Sequence, residues 1–418
     1  MTTTTKLLSY GSLQSVIRFM DANLRFHLYK SIPSIRTAEK SVPLQVDFLG
    51  LSKTKLTINT TSYKLGIYRK HTTETPEYIK TENHTGGLPY DVDQYGCWDF
   101  HREFEMETGD IQLFEENEKG ALLRQEVPRE YLEKKVWEYK KRKNVDELLK
   151  QFETELSFRN CNRDGVLPPY KFYIQATLSF ENPTRTYVER VEYSKTLSQV
   201  YKKLVQDFLC RSGNKIRVKD LKLKSKLYIL RWPHGLCMKV KNVMVYNPKS
   251  LEYLQPILDS ASYPLQLLRL KRYSDEVSEA IMEVMQRAKC VEVHGFLSRE
   301  MFQSLRTTCL TRFVLKGTEL SSNDLVNFVE EWINNPPPVG TIWVFKEFHL
   351  WKDGYEFYVS KVLSTLADNY EKYTGNGRVG RIPITDNTMI VVGFEHDDAS
   401  DTEMMFMKIV STDQEVLS

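Results

Sequence analysis

The sequence predicts a mixed α/β protein: an N-terminal helix pair and a small antiparallel sheet, followed by an irregular leucine-rich-repeat-like β-α solenoid. Three observations carry this. Apolar residues recur at helical spacing between Leu7 and Ile35, and from Pro43 the apolar period changes to two. Beyond Thr196, strand-like and helix-like runs alternate at a near-constant interval. At 418 residues the chain exceeds the roughly 250 to 300 residues at which single cores stop growing, so more than one domain is expected. The boundaries are read as 1–40 for the helical segment, 41–195 for a β-rich domain and 196–418 for the repeat domain.

In the first segment Leu13, Val16, Ile17 and Met20 fall at i, i+3, i+4 and i+7, one face of a helix. After the turn-prone Asp21, Leu24, Leu28 and Ile32 repeat the pattern until Pro33 stops it. VPLQVDFLGL and KLTINTTSYKLGIYRK then alternate as strands do, with a hairpin expected at Asn59. A polar loop follows, through Gly86, Gly87, Pro89 and YDVDQYG. Residues 129 to 156 are dense in both charge signs, with narrow apolar stripes at Leu132, Val136 and Tyr139 and again at Leu148, Leu149 and Phe152. They predict one long exposed helix inserted between strands. YKFYIQATLSF and RTYVERVEY supply a second strand pair, read as part of the same sheet as the first.

The repeat is the strongest pattern. Taking Leu221, Val243, Leu268, Val291, Val314 and Val344 as strand centres, successive intervals are 22, 25, 23, 23 and 30 residues. A strand-plus-helix unit at that spacing marks a solenoid in which each unit covers its neighbour's apolar edge. Asp275, Ser298 and Ser321 are expected helix N-caps, and Ser321 with Asp324 forms an S-x-x-D start. The competing reading is a doubly wound α/β domain, which also alternates strand and helix; the near-periodic interval favours the solenoid. FYVSKVLSTLADNY, a Gly-rich turn and TMIVVGF read as a terminal cap before an acidic tail, EHDDASDTE.

Motifs for chemistry are weak. Gly375, Gly377 and Gly380 match G-x-G-x-x-G, but a helix precedes them and a strand follows, the reverse of the dinucleotide-binding context. A turn is expected there. Asp91 and Asp93 begin like a calcium loop, yet Tyr95 and Arg102 occupy ligand positions, so a solvated turn is the better account. The eight histidines show no metal or catalytic spacing. The six cysteines show no C-x-x-C pair and read as buried free thiols. Neither a cofactor nor a metal is expected, and the chain is read as a non-enzyme.

A balance of 58 basic and 55 acidic residues gives a net charge of +3, too small for the broad positive field of non-specific nucleic-acid binding. The basic run at 140–143, with Lys134 and Lys135, is diluted by Glu133, Glu138, Asp146 and Glu147 and reads as a solvated helix face. No stretch approaches the roughly 20 apolar residues of a membrane helix, and the N-terminus carries no apolar core, so cytoplasmic or nuclear residence is expected. The sequons at Asn59 and Asn83 are then chance matches.

The stretches SLQSVIRFMDANLRFHLYKSIPSIRTAEKSVPLQV, INTTSYKLGIYRK, GGLPYDVDQYG and DLVNFVEEWINNPPPVGTIWVF together resemble a nematode-expanded family of uncharacterised proteins, with an F-box-like N-terminus and an associated C-terminal domain of unknown function. The resemblance implies that the N-terminal helices dock onto a Skp adaptor of a cullin ubiquitin ligase while the repeat domain presents a concave surface to a substrate protein. Leu13, Val16, Ile17, Met20, Leu24 and Leu28 are the candidate docking residues. In the usual opening Leu-Pro position the chain has Leu8, Ser9 and Tyr10 instead. Beside the docking role stands a plainer one, in which these apolar residues pack on the strands that follow. Two further functional readings remain: an α/β enzyme using the glycine turn or the Asp91/Asp93 loop, and a nuclear, nucleic-acid-associated protein acting through residues 134 to 143.

Overall fold

The computed structural model describes residues 9–113, 128–141, 145–181, 184–210, 216–224, 228–246, 248–271, 279–295, 310–317, 321–346, 355–397 and 402–412. The chain divides into two compact units, Met1–Lys239 and Val240–Ser418. The boundaries read from sequence at 40 and 195 both fall inside the first.

The first unit opens with α1 (Tyr10–Phe19), α2 (Ala22–Ser31) and α3 (Arg36–Ser41). The Ser9 hydroxyl accepts from Ser12 N and starts α1, and Asp21 accepts from Asn23 N at 2.8 Å to start α2. Apolar packing of Ile17 on Ala38 and Val42 joins α1 to α3, and a buried ion pair joins α2 to α3. Arg25 donates through Nε and Nη2 to Glu39 Oε1 at 3.2 and 3.0 Å, and its remaining donors reach the carbonyls of Pro43 and Val42 at 2.8 Å. A planar guanidinium can satisfy that many acceptors at once, which is why arginine fits this position and lysine does not.

The sheet runs β7 (Ile216–Leu223), β1 (Gln45–Leu51), β2 (Lys55–Ile58), β3 (Thr61–His71), β5 (Tyr170–Glu181), β6 (Thr184–Glu192). Only β1 with β7 is parallel, from Gln45↔Arg217 to Leu51↔Leu223. As expected, the β2–β3 hairpin turns at Asn59, the described non-glycine residue with positive φ (51°); its side-chain oxygen accepts from Asp47 N and Phe48 N. The two strand pairs join through an eleven-residue antiparallel ladder, Thr61↔Phe180 to His71↔Tyr170. β6 is the outer strand, and all nine of its residues are exposed.

Between β3 and β5 lie α4 (Glu77–His84), α5 (Phe100–Phe104), β4 (Ile111–Gln112), α6 (Arg129–Lys140) and α7 (Asp146–Asp164). The single helix expected over 129–156 is thus two. The chain folds back between them, bringing the Tyr139 and Phe152 rings to 5.3 Å and Lys140 Nζ to 3.2 Å from Glu153. α7 continues beyond the expected end, until Gly165 takes the left-handed conformation (φ 67°) that closes it. α8 (Leu197–Leu209) begins with a capping box of Thr196 and Gln199 and buries Tyr201, Val205, Phe208 and Leu209. β8 (Ile229–Leu230) pairs with β4.

In the second unit β9 (Met238–Val245), β10 (Leu267–Leu270), β11 (Val291–His294), β12 (Arg312–Lys316) and β13 (Ile342–Lys346) lie side by side in chain order, each parallel to the next. Helices α9 (Ser250–Leu254), α10 (Glu279–Gln286) and α11 (Ser322–Asn334) lie between strands in the chain, and α12 (Tyr355–Asn369) follows β13. The predicted cap of α11 is present, with Ser321 and Asp324 each accepting from the other's backbone N–H. Expected caps at Asp275 and Ser298 lie outside the described residues.

The strands of the second unit are mixed in direction rather than a run of parallel repeats. The segment read as a cap and an acidic tail forms four antiparallel strands, β14 (Thr374–Gly375), β15 (Val379–Thr385), β16 (Thr388–Asp397) and β17 (Thr402–Ser411), and β17 pairs antiparallel with β13. Glu395 and Glu403 of the expected tail therefore sit in paired strands.

One face of the parallel strands is core. Leu268, Leu270, Val291, Val293, Phe313, Leu315, Trp343 and Phe345 are all buried, and Phe328 (tilted) and Trp332 (edge-to-face) of α11 pack on Trp343 with ring centroids 4.9 and 5.7 Å away. The Trp343 indole donates to the Leu310 carbonyl at 3.3 Å. The alternate residues point the other way.

Candidate functional site

Those alternate residues build the candidate site. The register pairs Arg312 with Ile342 and Ile342 with Lys408, Val314 with Val344 and Val344 with Phe406, and Lys316 with Lys346 and Lys346 with Met404. β12, β13 and β17 thus carry three rows of three outward side chains. The first row is Arg312, Ile342 and Lys408, the middle one wholly apolar, and the third Lys316, Lys346 and Met404. Strands pack about 4.8 Å apart and same-face residues repeat about 6.7 Å along a strand, so the grid is roughly 10 by 13 Å. With Arg269, Glu292 and Glu395 it lines a cavity of about 510 Å³ whose described lining comes from strands alone.

Its floor is firm. Val344, Val391 and Phe406 form a small buried cluster, with Val314, Ile342 and Met404 packed against it. A side chain at Gly393 would run into the Phe406 ring, so the ring lies across the glycine and forms one wall.

Beside the grid, Glu292 collects cations. Arg269 Nε reaches Glu292 Oε2 at 2.7 Å, while His294 Nε2 and Lys316 Nζ reach Oε1 at 2.6 and 3.1 Å. Burial raises the Glu292 carboxyl, but hydrogen bonds from His294, Arg269 and Lys316 outweigh it and hold the group well below the usual carboxylate range. Lys271 Nζ stands 3.4 Å from His294 Nδ1, which favours the tautomer with the proton on Nε2, facing Glu292. Arg312 and Lys408 face no carboxylate within ion-pair distance among the described residues; Lys408 Nζ instead lies 5.5 Å from the Phe406 ring.

The residues singled out from sequence lie elsewhere. Ile17 is buried against Ala38 and Val42, with Leu13 and Met20 packed on the same cluster, so these three face their own unit. Leu28 is half-buried, and Val16 and Leu24 are exposed. The split has a physical cause. α3, which apolar spacing does not reveal, covers part of the α1 stripe, while Arg25 turns α2 so that Ala22, Asn23, Arg25 and Phe26 are its buried face. Phe19, 88% exposed, is the most open large apolar side chain described.

Gly375 and Gly380 lie in the β14–β15 hairpin, where Asn376 Oδ1 accepts from Arg378 N and Val379 N. Both glycines make room for the Tyr373 ring. The Asp91 loop is not the solvated turn expected. Asp91 is buried, accepting from Tyr193 Oη at 2.8 Å and from Leu197 N at 2.7 Å, so it anchors the start of α8, and burial raises its carboxyl. Asp93 accepts from Tyr95 N and Cys97 N. Asp91 is thus closed to a ligand, while Asp93 stays half-buried, with its second oxygen accepting from Asn162 Nδ2 at 3.2 Å. Cys97 is buried as expected, whereas Cys210 and Cys237 are exposed. Of the basic stretch, residues 142 and 143 lie outside the described residues, and Lys135 and Lys140 pair with Glu138 and Glu153.

A DUF3557 domain of unknown function is found at residues 196–349. The DUF3557 range starts at the Thr196 cap and ends just after β13, so it includes Arg269, Glu292, Arg312 and Lys346 but not Phe406 or Lys408. No curated protein matches the chain. Among the described residues no helix is long and apolar enough to cross a membrane, and no group of three His, Cys, Asp or Glu side chains is placed to hold a metal ion.

The grid was missed in the sequence because it exists only across strands. The signal was present in part. RFVLK, IWVFK and MMFMK each place a lysine two residues beyond an apolar residue, on one face of a strand.

Proposed function

We propose that the protein is a non-enzymatic interaction protein in which the sheet face of the second unit that no other described element covers receives a protein partner. The observation that carries this reading is the cavity over β12, β13 and β17, with an apolar floor between two rows bearing cations. Patches that are apolar at the centre and polar at the rim are what interfaces use. The five parallel strands in chain order, with helices between them, support describing this region as leucine-rich-repeat-like, an architecture that offers surface rather than a pocket for chemistry.

The finer form of the proposal is a substrate receptor for a cullin-based ubiquitin ligase. α1 to α3 would dock a Skp adaptor through their exposed apolar residues, Val16, Phe19 and Leu24. Affinity purification from native extract, followed by mass spectrometry, tests both levels. Skp and cullin partners lost on Phe19→Asp are the result expected of the ligase form, and their reproducible absence removes it. Failure to retain any protein at all removes the broader reading.

A further inference from the structure

We infer that the face of β12, β13 and β17 that no other described element covers binds an extended acidic peptide segment in which an apolar residue sits between two carboxylates at alternate positions.

The inference rests on the interaction reading and deepens it by naming the partner's chemistry. The register supplies the first step. Arg312 and Lys408 flank Ile342 in one row, Val314, Val344 and Phe406 fill the next, and Lys316 and Lys346 occupy the third. Rows follow one another at the spacing of i and i+2 in a strand, about 6.7 Å. A peptide lying extended along the strand direction drops its own i, i+2 and i+4 side chains at that same interval. Acidic, apolar, acidic at alternate positions is the pattern that matches cationic, apolar, cationic.

Charge supplies the second step. The cavity is lined by five cations, Arg269, Arg312, Lys316, Lys346 and Lys408, and by two carboxylates, Glu292 and Glu395. Glu292 is already shared among Arg269, His294 and Lys316. Arg312 and Lys408 have no carboxylate within reach among the described residues, and they stand two strands apart across Ile342, roughly 10 Å, on either side of where a peptide backbone would run. A basic or neutral segment would leave these charges facing like charge or an apolar surface, which costs binding free energy. Arginine at 312 also offers the planar fork that holds a carboxylate with two donors.

The third step is the floor. Val344 and Phe406 are each 8% exposed, and the Phe406 ring is pinned over Gly393, so the apolar row is already formed and costs little to order when a side chain seats on it.

The test uses the full chain and fluorescein-labelled nonapeptides read by anisotropy. One carries Glu-Thr-Leu-Thr-Glu at its centre, one Lys-Thr-Leu-Thr-Lys, and one Glu-Thr-Ser-Thr-Glu. Binding of the first at least tenfold tighter than either other, weakened at least tenfold by R312E/K408E and falling with added salt, is the expected result. Equal binding of the acidic and basic peptides, binding unchanged in R312E/K408E, or no binding of any peptide overturns the inference. R312E/K408E must melt within a few degrees of the wild type; Lys408→Gln and Arg312→Gln singly, each expected to weaken binding severalfold, repeat the measurement should the double variant unfold. If native partners co-purify equally with wild type and R312E/K408E while the peptides fail, the acidic preference falls and the broader interaction reading stands.

Discussion

Two carboxylates, one in each unit, gather cations in different ways. Asp110 in the first unit has a side chain with no exposure; Lys202 Nζ reaches its Oδ1 at 2.8 Å and Arg231 Nη1 its Oδ2 at 2.7 Å. Both cations are themselves nearly buried; Lys202 also reaches the Thr108 carbonyl and, at 3.4 Å, Glu107 Oε2, while Arg231 reaches the carbonyls of Glu103 and Glu105. Every charge there is consumed internally. Glu292 in the second unit meets three partners where Asp110 meets two cations, but Arg269, Lys316 and His294 each keep 21 to 30% of their side chains exposed, and further cations lie beyond them. The first arrangement clamps a loop between α5 and β4 to α8 and β8. The second leaves positive charge unspent on an open face. Similar chemistry thus serves cohesion in one place and, under the proposed function, recognition in the other, and burial of the cations separates the two.

That contrast can be broken from the Asp110 side first. Asp110→Ala strands two buried cations, a change that costs about 3–5 kcal/mol, so the denaturant midpoint of the first unit should drop sharply. A midpoint shift of under about 1 kcal/mol would mean water reaches the cluster. Glu292→Gln is expected to cost less, about 1.5 kcal/mol at neutral pH, because its partners can turn to solvent. The sign of its pH dependence follows from the depressed carboxyl. The stabilisation is fully present above the ordinary glutamate value near 4.3 and is lost as pH falls toward the folded one, so the gap between wild type and Glu292→Gln should narrow below about pH 4. Denaturation curves across pH 3 to 7 measure it, and a gap that widens on acidification contradicts the assignment. Arg312→Ala is expected to change stability by less than about 0.5 kcal/mol, since the side chain is exposed and unpaired among the described residues. A larger loss would give Arg312 a structural role in place of the proposed recognition role.

Much of the architecture was readable because it rests on local periodicity. The 22-to-25-residue interval placed Val243, Leu268, Val291 and Val314 in successive parallel strands, and the Ser321 cap, the Asn59 hairpin and the glycine turn at 375–380 were fixed by residues close in sequence. What escaped depends on partners far along the chain. MMFMKIV of β17 is a nearly unbroken apolar run, without the alternation that marks a strand with one face in water, and it follows acidic residues that read as a tail. The break between α6 and α7 is set by their mutual packing. Asp91 looked like a surface turn until Tyr193 and Leu197, more than a hundred residues away, enclosed it. The grid is the extreme case, since none of its nine residues is a neighbour of another strand's three until the register is known.

β6 carries one more consequence. Among the described residues nothing pairs with its outer edge, so alternate backbone N–H and C=O groups face water along a strand that also displays Tyr187, Val188 and Val191. Such a margin invites the same strand of another molecule, and here Arg185, Glu189, Arg190 and Glu192 punctuate it with charge. These charges oppose edge-to-edge association at high concentration, and Arg190 does so while also holding the buried Gln175 Oε1 at 2.9 Å.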